Sequence, residues 1–400
     1  MQEFSGCYSG KGSVMCGKNE FVKIAKRENN KKRNYLVVNG LLGKHVPASP
    51  GRVFELFDSL ADLLKDAYCG EKLLLVGFAE TATAVGARAA VKLRSWYIQT
   101  TREEIPKAEY LFFTESHSHA TEQKLVRGDM EEVCRKVDRI VFIEDEVTTG
   151  NTIWKIIDIL RKICPSHMRY AVASLLNGMG KSDLERYRSA NIDLLYLIKA
   201  NHENFAEIAE SYCGDGRYVP LHEKRNEEAE MYAQRASHYD NPFQGCLKMF
   251  NLCGYINSRR LTAGAAYEEA CGRLWKQITE RLDFSGNEKV LVIGTEEFMY
   301  PPLYVGACLE RCGCTVRCHS TTRSPIEVCS NEEYPLHTRY ELESFYQKGR
   351  TTYIYDLMRC DRVIIITDAS DMNSRGAESL LYALSLCGNN NIQIFRWCQK

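Results

Sequence analysis

Short apolar segments alternate along the chain with segments whose apolar residues recur at helical spacing. The apolar segment 72–78 precedes a helical pattern, and the segment 139–145 precedes another. Apolar runs of this length are typical of strands that are covered on both faces of a parallel sheet. The predicted strands are 34–38, 72–78, 95–99, 139–145, 169–176 and 192–198, and the predicted helices are 52–68, 82–93 and 151–163. Strands that alternate with helices predict βαβ units and an α/β fold.

A similar order of segments occurs twice in the chain. The segments "LLLVGFAE", "QTTREE" and "RIVFIEDEV" have counterparts in "VLVIGTEE", "STTRSP" and "RVIIITDAS", which start at residues 290, 320 and 362. The spacing is also similar, since Gly77 to Arg102 is 25 positions and Gly294 to Arg323 is 29. One match could arise by chance, but three in the same order favour an internal duplication.

Residues 201–260 differ in character from the segments on either side of them. They are polar, mix both charges and have weak periodicity. This composition is typical of a connector that carries helices. We therefore expect a first domain at 30–200, this connector, and a second α/β domain at 261–400.

Length, charge and hydropathy exclude several classes of protein. The chain has 400 residues, enough for two or three domains, and 44% of them are hydrophobic. Its 52 basic and 52 acidic residues balance, so no basic surface for nucleic acid is expected. It lacks an apolar run long enough to cross a bilayer and the apolar core of a signal peptide. We therefore expect a cytoplasmic protein without nucleic-acid or membrane partners, and the sequence leaves a homo-oligomer open.

Most of the 17 cysteines lie within apolar segments, where a free thiol behaves as a small hydrophobe. The densest group is Cys308, Cys312, Cys314 and Cys318. Its spacing does not match the usual zinc-binding patterns. Reduced thiols are the favoured interpretation, and a metal site is the alternative.

The segment "VFIEDEVTTGNT" at 141–152 places two carboxylates between a buried strand and a loop that opens a helix. One interpretation is a polar strand end followed by a helix cap, which Asp, Asn and Thr all suit. The other is a ligand site, because ligands of parallel sheets lie beyond the carboxyl ends of the strands.

The ligand interpretation uses every polar residue of this segment. The free amides at the helix start suit a phosphate, Gly150 allows close approach of the backbone, and the carboxylates accept hydrogen bonds from vicinal hydroxyls. Ribose 5-phosphate has both kinds of group. The residues expected to bind it are Glu144, Asp145, Thr148, Thr149, Gly150, Asn151 and Thr152.

This segment resembles the phosphoribosyl-diphosphate motif of type I phosphoribosyltransferases. That motif is a hydrophobic strand, two acidic residues, two apolar residues and a threonine–glycine loop. Glu146 departs from it, because an apolar residue is usual at that position. With "TESHSHAT", "LLGKHVPASP" and "TTRSP", the chain resembles bacterial phosphoribosyltransferase-like proteins found with tellurite-resistance and stress genes. In those proteins the parallel-sheet phosphoribosyltransferase-like domain is followed by a TRSP domain.

The resemblance also implies a function and a cofactor. It implies transfer of ribose 5-phosphate between pyrophosphate, as phosphoribosyl diphosphate, and an unidentified base-like acceptor, in the making of a nucleoside-like small molecule. Mg²⁺ would accompany the phosphoribosyl diphosphate, and no protein metal ligand is assigned. Glu144, Asp145 and Arg102 are the expected catalytic residues. The alternative is a non-catalytic sensor of phosphoribosyl diphosphate or a nucleotide that acts through a protein partner.

The segment "GFAETATAVG" at 77–86 follows a strand and opens a helix, as the pyrophosphate loop does in that family. The residues expected to bind pyrophosphate are Glu80, Thr81, Ala82, Thr83 and Arg102. Arg102 would offset the charge of the pyrophosphate. Glu80 is unusual beside an anion unless Mg²⁺ or a cationic side chain lies between them.

His117 and His119 are two residues apart, so on an extended segment both face one side. We expect them to line the acceptor pocket together with Lys44 and His45. The alternative is a polar surface loop.

The second half lacks a complete copy of the acid pair. Thr367 and Asp368 stand at the corresponding strand end, and the loop after them is not rich in threonine. A second phosphoribosyl site of the same kind is therefore not expected. The corresponding strand ends carry Glu296, Glu297, Tyr300, Arg323 and Ser324. These residues form either a repurposed pocket for the acceptor, a product or a partner, or a structural lobe.

Overall fold

The computed structural model describes residues 21–28, 30, 33–113, 123–221, 247–370 and 372–398. Its strands are β1 (Lys23–Lys26), β2 (Tyr35–Val38), β3 (Leu73–Gly77), β4 (Trp96–Gln99), β5 (Tyr110–Phe113), β6 (Gln123–Val126), β7 (Arg139–Val147), β8 (Arg169–Asn177), β9 (Ile192–Lys199), β10 (Arg217–Val219), β11 (Leu247–Leu252), β12 (Thr262–Ala263), β13 (Lys289–Gly294), β14 (Thr315–Ser320), β15 (Thr338–Glu343), β16 (Thr351–Tyr355), β17 (Arg362–Thr367) and β18 (Ile392–Trp397). Its helices are α1 (Pro50–Ala67), α2 (Ala82–Leu93), α3 (Arg127–Val133), α4 (Asn151–Leu160), α5 (Lys181–Ser189), α6 (Phe205–Glu210), α7 (Gly264–Thr279), α8 (Tyr300–Arg311) and α9 (Ser374–Leu386). The described residues of 52–206 and 256–270 form one compact unit, and the other described residues form a second.

The first unit is built on a six-stranded sheet with the order β12-β4-β3-β7-β8-β9. Neighbouring strands are parallel except β12, which is antiparallel to β4. The crossover through α2 leads from β3 outward to β4, and the crossover through α4 leads from β7 outward to β8. The winding therefore reverses between β3 and β7, and such a reversal opens a crevice beyond the carboxyl ends of the two strands.

The second unit has a five-stranded parallel sheet with the order β11-β18-β17-β13-β14. Its helix α8 connects β13 to β14, and α9 connects β17 to β18. The order β14-β13-β17-β18 therefore repeats the order β4-β3-β7-β8 of the first unit. The fifth strand differs, because β11 precedes the repeated strands in the chain whereas β9 follows them.

Hydrogen bonds at matching positions extend the repeat beyond strand order. The Thr100 amide donates to the Gly77 carbonyl at 2.9 Å, and the Thr321 amide donates to the Gly294 carbonyl at 3.1 Å. The hydroxyl oxygen of Thr100 accepts a hydrogen bond from the Ala79 amide at 2.8 Å, and that of Thr321 accepts one from the Glu296 amide at 3.0 Å. Each donor lies two residues after the glycine of its unit. An antiparallel hairpin follows in both units, β5–β6 in the first and β15–β16 in the second. The second unit thus repeats the local geometry of the first as well as its topology.

Buried strands supply the core of the first unit. Leu74 and Val76 of β3 and Ile140 and Phe142 of β7 pack in one cluster with Ile156 of α4, and all five are fully buried. Full burial of such a side chain contributes about 1.5–3 kcal/mol. This packing fixes the positions of β3 and β7 relative to each other, and so of the polar residues at their ends.

Among the described cysteines, Cys134 and Cys164 are joined by a disulfide in the same core cluster. Within the group singled out by its density, Cys312 is exposed, and the buried members are Cys308, Cys314 and Cys318. Burial raises the pKa of the Cys308 thiol to about 11, so this thiol is protonated at neutral pH.

The expected α/β fold class is confirmed, and the strands and helices predicted for 34–198 are present with small shifts at their ends. The segment 201–260, expected to be a helical connector, also contributes strands, since β10 pairs with β15 and β11 pairs with β18. In β11 the side chains of Lys248, Met249 and Asn251 are exposed, so this edge strand has no apolar periodicity for the sequence to reveal. No helix within the described ranges is long and apolar enough to span a membrane.

Candidate functional site

The first unit places polar residues where the winding of its sheet reverses. Gly77, the last residue of β3, pairs with Ile143 of β7. Strand β7 continues to Val147, so residues 144–146 extend past the end of β3. These three residues are Glu144, Asp145 and Glu146, and each is partly exposed. The sheet therefore presents consecutive carboxylates in the crevice between its two central strands.

Strand geometry separates the three carboxylates. Side chains alternate along a strand, so Glu144 and Glu146 face one side of the sheet and Asp145 faces the other. Glu146 Oε1 lies 3.5 Å from His202 Nε2, and both side chains are nearly buried. The carboxylate that departs from the motif is therefore paired with an imidazole.

Helix α5 holds the loop that follows the carboxylates. Arg186 donates from Nη1 to Asn151 Oδ1 and from Nη2 to the Thr149 carbonyl, both at 2.8 Å. The Tyr187 hydroxyl donates to the Gly150 carbonyl at 2.6 Å. Acceptors of the loop are thus engaged by α5, while the first amides of α4 have no partner within their own helix. Thr148 and Thr152 flank this loop, and both are partly exposed.

Gly150 has a backbone that other residues rarely adopt and no room for a side chain. Its φ is 70°, and an added Cβ would lie 2.5 Å from both Met179 Cε and the Tyr187 hydroxyl. Gly150→Ala is expected to lower the free energy of unfolding by about 1–3 kcal/mol and to weaken binding of phosphoribosyl diphosphate. Thermal denaturation and calorimetric titration measure the two effects. Gly128→Ala is the control, since nothing lies within 4 Å of its added Cβ; equal effects in both variants would contradict the expectation.

The segment after β3 forms a tight loop that leads into α2. The Ala79 amide donates to Thr100 Oγ1 at 2.8 Å, and Gln123 Nε2 donates to the Ala79 carbonyl at 2.9 Å. The Thr83 hydroxyl donates to the Glu80 carbonyl at 2.8 Å. Because that hydroxyl has one hydrogen, the donors this loop offers to an anion are mainly its amides. The Ala79–Glu80 peptide bond is cis.

The other expected pyrophosphate residues lie close in the chain to these groups. Thr81 and Ala82 stand at the start of α2, where Ala82 is buried and Thr81 is partly exposed. Arg102 follows Thr100 by two residues, after the end of β4, and is partly exposed. Since β3 pairs with both β4 and β7, the segments that follow these strands all leave the same edge of the sheet.

Two expected acceptor residues are described, and both belong to the second unit. Lys44 is 1% exposed, and its ammonium donates to the carbonyls of Glu296 and Thr321 at 2.6 and 2.9 Å. His45 is also buried. The structure thus places Lys44 against the segments that follow the ends of β13 and β14. His117 and His119 lie outside the described residues.

A buried charge network occupies those strand ends. Glu296 is fully buried, and its Oε2 lies 2.5 Å from Arg323 Nε and 3.1 Å from Arg350 Nη1. The Ser344 hydroxyl donates to Oε1 of the same carboxylate. Glu297 is 1% exposed and lies 4.0 Å from Arg323 Nη2. The three charged residues of the expected cluster, Glu296, Glu297 and Arg323, are therefore joined by ion pairs within the second unit.

Asp368 stands where the repeat places the counterpart of Asp145. Its two oxygens accept from the hydroxyls of Tyr346 and Tyr255 at 2.6 and 2.8 Å. The counterpart of Glu144 is Thr367, whose hydroxyl lies 2.9 Å from that of Thr295. Donors of the protein therefore engage both oxygens of this carboxylate. Tyr300 is buried at the start of α8, and the Ser324 amide donates to Thr322 Oγ1 at 3.2 Å.

Two family matches identify the chain. Residues 21–201 match the family described as phosphoribosyl transferase, and residues 260–384 match the TRSP domain that lies C-terminal to it. The chain contains a domain of the phosphoribosyl transferase family followed by a TRSP domain. The resemblance inferred from the sequence motifs is therefore confirmed, including the order of the two domains.

Similar solved structures include adenine phosphoribosyltransferases from two organisms. The one from Rhodothermus marinus is 14% identical, with 45% of this chain and 94% of that chain covered and a TM-score of 0.32. The one from Trypanosoma brucei, in complex with AMP, pyrophosphate, and ribose-5-phosphate, is 17% identical, with 54% and 89% covered and a TM-score of 0.33. No curated protein matches this chain.

Three residues of the first unit that contact the expected site were not singled out by the sequence. Arg186 and Tyr187 hold the loop from α5, and His202 pairs with Glu146. No motif marks any of the three. The one available signal was Glu146 itself, since a third carboxylate in a row favours a cationic or hydrogen-bonding partner nearby.

The donor set of this domain suits a metal that arrives with its substrate. Among the described residues, no group of three or more His, Cys, Asp or Glu side chains could hold a metal ion. Mg²⁺ is usually bound through one or two carboxylates together with substrate phosphates and water. The adjacent carboxylates of Glu144 and Asp145 provide the protein part of such a set.

Proposed function

We propose that the chain transfers ribose 5-phosphate from phosphoribosyl diphosphate to a nitrogen of a base-like acceptor and releases pyrophosphate. The observation that carries this proposal is the continuity of β7, Glu144, Asp145 and the loop that opens α4, in the crevice where the sheet winding reverses. The loop, anchored by Arg186, would receive the 5-phosphate. The two carboxylates would receive the ribose hydroxyls.

The reaction breaks the bond between the anomeric carbon and a pyrophosphate oxygen, and the electron pair leaves with the pyrophosphate. The lone pair of the acceptor nitrogen forms the new bond, and that nitrogen loses a proton. Positive charge develops on the ribose in between, so the carboxylates of Glu144 and Asp145 would stabilise it. The amides of residues 79–83 and the guanidinium of Arg102 would stabilise the leaving pyrophosphate. Mg²⁺ bound to phosphoribosyl diphosphate would supply further charge neutralisation.

We also propose that residues 30–200 form the catalytic domain, 201–260 the connector and 261–400 the TRSP domain. The two family matches and the position of the carboxylates support a catalytic role for the first of these. The product would be a nucleoside monophosphate-like molecule, which suits a place in nucleoside-like small-molecule biosynthesis.

Pyrophosphate release tests this proposal. The purified full-length chain is incubated with phosphoribosyl diphosphate, Mg²⁺ and a panel of purine, pyrimidine and other nitrogen bases. Release that depends on both the base and the phosphoribosyl diphosphate is expected. Tight binding of phosphoribosyl diphosphate without release for any base would instead favour a sensor, and absence of binding would overturn the proposed site.

A further inference from the structure

The pair of Glu146 and His202 is held in place by residues of the first unit. The His202 ring stacks on Phe205 with centroids 4.7 Å apart. The ring also packs against Gly178, where an added Cβ would lie 2.2 Å from it. The Gly178 amide donates to the carbonyl of Val147, the residue after Glu146, at 2.7 Å. The imidazole of His202 is therefore packed beside the end of β7 and does not project into solvent.

Strand order places this pair on one side of the expected ribose site. The pyrophosphate loop follows β3, which lies on one side of β7, whereas Gly178 follows β8 and His202 follows β9, on the other side. A nucleophile approaches the anomeric carbon from the face opposite the leaving group, because the reacting orbitals must align. The acceptor therefore enters from the side of β8 and β9. Glu146 also faces the same side of the sheet as Glu144.

A nearly buried carboxylate and imidazole, 3.5 Å apart, are costly to remove from water at this position. An apolar pair of similar volume is often as stable or more stable, so ionisable pairs in a crevice are candidates for ligand recognition. A carboxylate offers about four lone pairs, so Glu146 can accept a hydrogen bond from a ligand while His202 lies beside it. The ligand group that it recognises is a hydrogen-bond donor.

We infer that Glu146, positioned by His202, selects an acceptor that presents an exocyclic amino group. This inference rests on the proposed transfer reaction and specifies its acceptor class. A heterocycle with a carbonyl oxygen at the same position would place that oxygen against the Glu146 carboxylate. Both groups are hydrogen-bond acceptors, so no hydrogen bond could form between them. A site built to bond a donor rejects analogues that lack it strongly.

The test compares matched bases in the full-length protein with phosphoribosyl diphosphate and Mg²⁺. Adenine is compared with hypoxanthine and cytosine with uracil, by pyrophosphate release and by binding of each base to the protein–phosphoribosyl diphosphate complex. The amino-bearing member of at least one pair is expected to be favoured by at least about tenfold. Glu146→Gln is expected to reduce that ratio to within about threefold, and His202→Gln to reduce it partly, while the Kd for phosphoribosyl diphosphate stays within about twofold.

Glu185→Gln is the matched control, because Glu185 is an exposed glutamate on α5 of the same domain. It should leave the ratio unchanged. Equal use or binding of both members of each pair by the unaltered protein would overturn the inference, as would an unchanged ratio in Glu146→Gln. Failure of the unaltered protein to bind phosphoribosyl diphosphate would overturn the proposed function itself, and this inference with it.

Discussion

Replacing Glu144 by Gln together with Asp145 by Asn is expected to lower pyrophosphate release by at least about a thousandfold. Both changes keep the size of the side chain and remove its charge. The variant therefore loses the groups that would hold the ribose hydroxyls and offset the positive charge that develops on the ribose. Both residues are partly exposed at a strand end, so the fold should persist.

Steady-state pyrophosphate release measures this loss, and circular dichroism with thermal denaturation checks that the variant is folded. The matched control is Glu131→Gln with Asp158→Asn, because those carboxylates are 41% and 51% exposed on helices of the same domain. The control should retain full activity. If the variant with Glu144→Gln and Asp145→Asn has activity within a few-fold of the unaltered protein, the assignment of the ribose site is wrong.

Replacing Glu296 by Ala is expected to destabilise the TRSP domain by about 3–5 kcal/mol. The side chains of Arg323 and Arg350 are 12% and 18% exposed, and both point at the Glu296 carboxylate. Removal of that carboxylate leaves two guanidinium groups without their shared counter-charge in a poorly hydrated site. Glu296→Gln should cost less, because its amide oxygen still accepts hydrogen bonds.

Hydrogen exchange of the β13 and β17 amides reports the stability of this domain separately from that of the catalytic domain. Glu378→Ala on α9 is the control, since Glu378 is exposed. If Glu296→Ala exchanges at the rate of that control, the network is not structural. The result would then favour the interpretation of this cluster as a ligand pocket.

Local signals were sufficient to predict the strand ends of the phosphoribosyl transferase domain. Apolar runs covered on both faces predicted β3 and β7, and helical periodicity predicted α2 and α4. These elements also place Glu144 and Asp145, because both residues stand at the carboxyl end of the predicted strand 139–145. The repeat was predicted in the same way, since Gly77 and Gly294 mark equivalent strand ends.

Partners across the fold could not be predicted from the sequence. Arg186 contacts Thr149 from 37 positions away, and Arg350 contacts Glu296 from 54 positions away. Neither arginine lies in a motif, because an arginine on a polar segment has the same local pattern whether it is solvated or paired. Lys44 illustrates the same limit: its loop was expected to line the acceptor pocket, and its ammonium binds carbonyls of the second unit.

The sequence by itself determined the α/β class, the two similar halves and the carboxylate–threonine segment of the first half. These features depend on periodicity and on order along the chain, and both are present in the sequence. Only the tertiary structure decided which groups these carboxylates meet: Glu146 lies beside His202, Glu296 is ion-paired with two arginines, and Asp368 accepts hydrogen bonds from two tyrosine hydroxyls. Such pairing depends on distances between segments that are far apart in the chain, and those distances exist only after the strands have been ordered in their sheets.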